Sequence, residues 1–135
     1  MKKVLSFLLV LVLIIPVVFA GAEAEKKAAG PIKLGLMFGL TGTASPIGPP
    51  QLDGAKLAIK EINAAGGIDF NGEKRLVEYI VRDDETKPDV AIRRFRALVN
   101  EDKVDAVVGQ TFASITGALN QEVKRTPVAY FPVNV

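Results

Sequence analysis

From residue 32 onward, short apolar runs of strand length alternate with longer stretches whose apolar residues recur every three or four positions. That alternation restricts the chain to an α/β fold. Ile32 to Leu40 (IKLGLMFGL) is almost continuously apolar, the pattern of a strand covered on both faces of a parallel sheet. The Gly-, Thr- and Pro-rich stretch Thr41 to Pro50 is expected as a loop. From Gln51, the residues Leu52, Ala55, Ile59 and Ile62 form a helical stripe with Lys56, Lys60 and Glu61 off it, and Gly66-Gly67 ends the helix.

Ile68 to Phe70 and the turn Asn71-Gly72 predict a small hairpin leading into a second strand, Lys74 to Asp83. Thr86 is a cap candidate and Pro88 suits a first helical turn. The helix they open places Ala91, Phe95, Leu98 and Val99 on one side and Arg93, Arg94 and Arg96 elsewhere, a solvated face rather than a nucleic-acid patch. A third strand is expected over Val104 to Val108. A third helix follows over Ser114 to Arg125, with Ile115, Ala118, Leu119 and Val123 inward, and after Pro127 a fourth strand runs from Val128 to Phe131. By the right-handed crossover rule, β-α-β-α-β-α-β gives a doubly wound parallel sheet, for which the flavodoxin-like order 2-1-3-4 is the order expected here. Its ligand crevice lies between strands one and three, walled by the loop Thr41 to Pro50, the loop Gln110 to Ser114 and the segment Pro132 to Val135.

The first 20 residues stand apart. Lys2 and Lys3 precede an apolar run from Val4 to Ala20, and Val18-Phe19-Ala20 places small residues where a signal peptidase reads them. Residues 1–20 are therefore expected to be a cleaved signal peptide, 21–31 a flexible polar linker, and 32–135 the folded unit. Of 17 basic and 15 acidic residues, removal of Lys2 and Lys3 leaves the two signs equal, so the basic pI carries no nucleic-acid implication.

The chain contains no His and no Cys. Ser/His/Asp and Cys/His catalysis, imidazole or thiolate metal sites and disulfides are thereby excluded from it. Gly35, Gly39, Gly42 and Gly48 spell neither G-x-G-x-x-G nor a P-loop, so no nucleotide cofactor is expected, and no other cofactor either. The first turn of the third helix, with the hydroxyls of Thr111, Ser114 and Thr116 nearby, is suited to a carboxylate. Ser114 also reads as a simple cap for that helix, and the two roles are compatible. Asp83, Asp84 and Glu85 form the one dense acidic cluster. It reads as a polar strand end, with acid-base or cation chemistry as the less favoured alternative.

Gly39-Leu40-Thr41-Gly42 with Gly48, then Asp53-Gly54-Ala55-Lys56-Leu57-Ala58 and Glu61-Ile62-Asn63-Ala64-Ala65-Gly66-Gly67-Ile68, resemble the start of the extracytoplasmic solute-binding proteins of branched-chain amino acid ABC importers. Asp84, Pro88, Ala91 and Val107-Val108-Gly109 match the same family in order. The resemblance runs from about Ile32 to the last residue. It implies a type I periplasmic-binding fold of two hinged lobes, of which this chain holds part of the first. It further implies a non-catalytic role, delivery of a small amino acid, carboxylate or amide to a membrane permease, and a periplasmic or extracellular location. By position, the implied ligand-binding residues are Ile47, Phe112, Ala113, Ser114, Val133, Asn134 and Val135. Ile47 stands where the leucine-type binders carry an aromatic residue, and Ala113 where they carry a hydroxyl, so ligands outside the branched-chain set are compatible with the family.

An extracellular sensor module and an exported enzyme using Asp83 or Asp84 are the competing readings. With only Pro132 to Val135 after the fourth strand, that strand has a bare edge, and the sequence is expected to be an incomplete chain.

Overall fold

The computed structural model describes residues 30–134. The signal peptide expected over 1–20, most of the linker expected over 21–31, and Val135 lie outside the described residues. In chain order the elements are β1 (Ile32–Phe38), a 3₁₀ turn (Gly42–Ala44), α1 (Gly48–Ala64), β2 (Ile68–Phe70), β3 (Glu73–Arg75), β4 (Val77–Asp83), α2 (Pro88–Asn100), β5 (Ala106–Gly109), α3 (Ala113–Val123) and β6 (Ala129–Pro132). Four strands form a parallel sheet in the order β4-β1-β5-β6, which is the expected 2-1-3-4. β2 and β3 make the separate hairpin.

Alternation along the strands divides the core into two layers. Leu36 and Phe38 of β1 and Val77 of β4 meet Leu52 and Ile59 of α1 on one face. Met37 and Val107 meet Ala91, Phe95 and Leu98 of α2 and Ile115 and Leu119 of α3 on the other. Full burial of each large side chain contributes about 1.5–3 kcal/mol, whereas an exposed ion pair contributes about 0–1 kcal/mol. The two apolar layers therefore hold the fold, not its surface charges. Two of the three helix arginines are engaged by acids: Arg93 by Asp89 one turn before it, and Arg96, in a two-pronged contact, by Glu122 of α3. One helix cannot cover a four-stranded face. Phe131, in register with Val108 on the α1 side, is 57% exposed.

Several boundaries differ from expectation, each for a local reason. β1 stops at Phe38 because the Leu40 amide turns back to the Phe38 carbonyl. α1 begins at Gly48, not Gln51, because Pro49 and Pro50 fit a first turn whose amides lack intrahelical acceptors. The expected strand Lys74 to Asp83 is two strands: β3 pairs back on β2, Leu76 is the joint, and β4 pairs with β1. Thr86 does not cap α2; Lys87 occupies that position, with no side-chain cap. β5 starts at Ala106 rather than Val104, whose amide closes on the Leu98 carbonyl. α3 runs from Ala113 and ends at Val123, where Arg125 and Thr126 turn back on Glu122 and Val123. β6 lies one residue later than expected, in register from Ala106↔Ala129 to Gly109↔Pro132.

Candidate functional site

The strand order reverses between β1, whose crossover leads to β4, and β5, whose crossover leads to β6. In a doubly wound sheet, the place for a ligand is outside the carboxyl ends of the strands at this point. Its floor is the end of β5. Gly109 has φ +139°, and a Cβ there would overlap the Met37 carbonyl of β1. Gln110 follows in the left-handed region at φ +71° and is fully buried. Its amide donates to the Met37 carbonyl at 2.7 Å and its Nε2 to the same oxygen at 3.3 Å. Thr111 Oγ1 accepts from the Gly39 amide at 3.3 Å, and the Val133 amide donates to the Gly109 carbonyl at 2.8 Å. The segments after β1, β5 and β6 are thus tied to one another.

The structure brings the sequence-selected residues to this edge. Ile47 stands immediately before α1, 37% exposed. Phe112 is the residue preceding α3, and its carbonyl accepts from Ile115 and Thr116. Ala113 and Ser114 are the first two helical residues, both exposed, and their amides precede the first intrahelical bonds. Val133 and Asn134 follow β6, both exposed. The Thr116 hydroxyl donates to Asn134 Oδ1 at 2.7 Å and accepts from the Tyr130 hydroxyl at 3.4 Å, fastening the segment after β6 to α3.

The hydroxyl trio is not used as the sequence suggests. Thr111 is buried and occupied by Gly39, and Thr116 is occupied by Asn134. Ser114 does not cap its helix, since it sits inside the first turn and α3 has no side-chain cap. The exposed groups at the helix start are therefore the Ser114 hydroxyl and the amides of Ala113 and Ser114, a donor set for an anionic group.

The acidic cluster is a structural device. Asp83 Oδ1 accepts from the amides of Leu40, Thr41 and Glu85 at 2.9, 3.3 and 2.8 Å, and Oδ2 accepts from the Thr41 hydroxyl at 2.6 Å. Burial pushes its carboxyl up, but these four bonds outweigh burial and hold it below the ordinary 3.8. Asp84 is 1% exposed; Oδ1 accepts from the Thr86 amide, and Oδ2 has no partner. Burial raises its carboxyl above the ordinary value, the Thr86 bond opposes this, and the neighbouring Asp83 charge adds to the rise. Neither acid has the exposed, unencumbered carboxylate that acid-base chemistry on a ligand needs. Among the described residues, no group of three or more acids is placed to hold a metal ion.

The opposite shifts give opposite pH effects. A raised acid stabilises fully below the ordinary pKa and loses that contribution as pH rises through its folded value; a lowered acid contributes above the ordinary pKa and loses it on acidification. Asp84→Asn keeps the acceptor for Thr86 and removes the buried charge. It is expected to be at least as stable as wild type at about pH 7, with the difference shrinking toward about pH 4, by thermal unfolding across that range. A variant far less stable than wild type at neutral pH would show that the charge itself is needed.

The parallel sheet in the order β4-β1-β5-β6, with helices on both faces, defines a doubly wound α/β lobe. The family described as periplasmic binding protein matches residues 31–134, and the chain belongs to that family. It is 37% identical over 97 residues to the leucine-, isoleucine-, valine-, threonine- and alanine-binding protein of Pseudomonas aeruginosa, covering 72% of this chain and 25% of that protein. To the leucine-specific-binding protein of Salmonella typhimurium it is 35% identical over 104 residues, 76% of this chain and 27% of that one. Among solved structures, the branched-chain amino acid transporter substrate binding protein LivJ of Streptococcus pneumoniae, in complex with isoleucine, superposes with a TM-score of 0.69 at 32% identity, over 76% of this chain and 28% of that chain. An ABC transporter solute binding protein of Rhodopseudomonas palustris, in complex with 3,4-dihydroxybenzoic acid, gives 0.61 at 25% identity, over 76% and 26%. The chain spans about a quarter of the length of the relatives it matches.

Proposed function

We propose that this chain is the first part of the ligand-binding lobe of an extracytoplasmic substrate-binding component of an ABC importer. It takes amino acids or related small carboxylates and carries out no catalysis of its own. Residues 1–20 are its signal peptide, 21–31 the linker and 32–135 the lobe segment; the protein is exported and hands its ligand to a membrane permease. What supports this reading is the start of α3, where Ala113 and Ser114 are exposed first-turn residues that follow the carboxyl end of β5. A ligand carboxylate there satisfies donors that the helix leaves unpaired. Ile47, Phe112, Val133 and Asn134 supply the flanking walls. The names of the relatives support amino acids as the ligand class, and the dihydroxybenzoate complex supports carboxylates more broadly.

The test is thermal unfolding of the full-length protein with leucine, isoleucine, valine, threonine, alanine and 3,4-dihydroxybenzoate. A true ligand at a hundred times its Kd stabilises by about 2.7 kcal/mol, a readily measured rise in Tm. A flat response to all six would remove the support for this reading.

A further inference from the structure

The geometry points to Asp83 and Thr86 as positioning residues that set the place of Ile47, and hence the shape of one wall of the crevice; the inference rests on the ligand-binding reading above. The segment between β1 and α1 contains only one short 3₁₀ turn, so its position must be imposed from outside. Thr111 holds its first residue, Gly39, and the β4–α2 connection holds the stretch from Leu40 to Ala44. Asp83 grips the start of the segment through the two amides and the hydroxyl of Leu40 and Thr41. Thr86 grips its middle: the Thr86 hydroxyl donates to the Thr41 carbonyl at 2.9 Å and accepts from the Ala44 amide at 3.1 Å. The Ile47 amide in turn donates to the Ala44 carbonyl at 2.9 Å. Two hydrogen bonds through one residue thus connect Thr86 to Ile47.

The backbone shows how strongly this contact is specified. Glu85 and Thr86 both lie in the left-handed region, at φ +53° and +56°. Such a conformation is strained for a residue with a Cβ and persists only where its surroundings over-determine it. Glycine at position 86 would relieve the strain and lose the hydroxyl. Asp83 Oδ1 on the Glu85 amide and Asp84 Oδ1 on the Thr86 amide, both at 2.8 Å, hold the strained pair in place. The acidic cluster is thus the foundation of a clamp whose working end is a threonine hydroxyl.

The experiment uses the full-length protein with isoleucine, or whichever of the six compounds above gives the largest shift. Affinity by calorimetry, Tm and amide hydrogen exchange are measured for wild type, Thr86→Val, Thr86→Ser and Val104→Ala. Thr86→Val keeps the branched shape and removes both hydroxyl bonds, while Thr86→Ser retains them. A loop in its competent position about a tenth of the time raises Kd about tenfold. We expect that loss in Thr86→Val, together with faster exchange at the Ala44 and Ile47 amides, and near wild-type behaviour in Thr86→Ser. Val104→Ala, in the core layer of α2 and α3, should lower Tm without singling out those amides or weakening binding. Unchanged exchange in Thr86→Val, or faster exchange with unchanged affinity, overturns the inference. If wild type binds none of the six compounds, the ligand-binding reading fails separately, and the clamp stands or falls on the exchange rates alone.

Discussion

Gly109→Ala is expected to cost about 3–5 kcal/mol, from backbone strain and overpacking together, out of a total stability of about 5–15 kcal/mol for a typical protein. Residue 109 sits at φ +139°, and the added methyl would meet not a side chain that can swing away but the backbone of Met37. Met37 and Gly109 are in register as the last paired residues of β1 and β5, and the amide of Gln110 uses the same Met37 carbonyl. Relief requires pulling apart the two central strands just below the crevice. Gly117→Ala is the matched control. A Cβ at Gly117, within α3, meets nothing within 4 Å, so that change should gain about 0.5–1 kcal/mol. Urea unfolding of the two variants reads the contrast directly, and equal midpoints would refute the close approach at Gly109.

Phe95→Ala should be nearly as damaging, at about 3–5 kcal/mol. Phe95 is fully buried in the layer beneath α2, and its ring meets Tyr130 of β6 edge-on, with centroids 6.1 Å apart and planes at 86°. Truncation leaves a cavity between a helix and an edge strand and removes an aromatic contact worth about 0.5–1.5 kcal/mol beyond area burial. Tyr130→Phe keeps that contact and loses only the 3.4 Å bond to Thr116, so it should cost far less. A Tyr130→Phe variant as unstable as Phe95→Ala would mean that the hydroxyl network, not the ring packing, holds β6 in place.

The strand order was legible because the alternation of periods and the handedness of crossovers admit few topologies, and the run from Ile32 to Phe38 reads as a central strand by itself. The boundaries slipped where one residue serves two local rules. Leu76 is apolar and strand-forming, yet it is the joint at which pairing passes from β2 to β1. Thr86 has the chemistry of a helix cap, but its hydroxyl is committed to residues on another loop. That commitment joins positions more than forty residues apart, and no local pattern records it. For the same reason Asp83 looked like a polar strand end rather than the grip on Leu40 and Thr41. The start of α3 was easier to find, because a loop leaving a buried strand and entering a helix must lie at the carboxyl edge. The lack of a side-chain cap there is not visible in the sequence, since Ser114 has the right chemistry two positions too late.

The pairing pattern also dictates an order of events during folding. β1 is made first and lies at the centre of the sheet, but Ile32 has no partner until Val77 exists, and Leu34 none on its other side until Ala106 does. No pair of adjacent strands in the main sheet is joined by a tight turn, so every strand contact must close a long stretch of chain first, which slows folding. A ribosome will therefore have released most of this polypeptide before its sheet can assemble, and β1 waits unpaired until then.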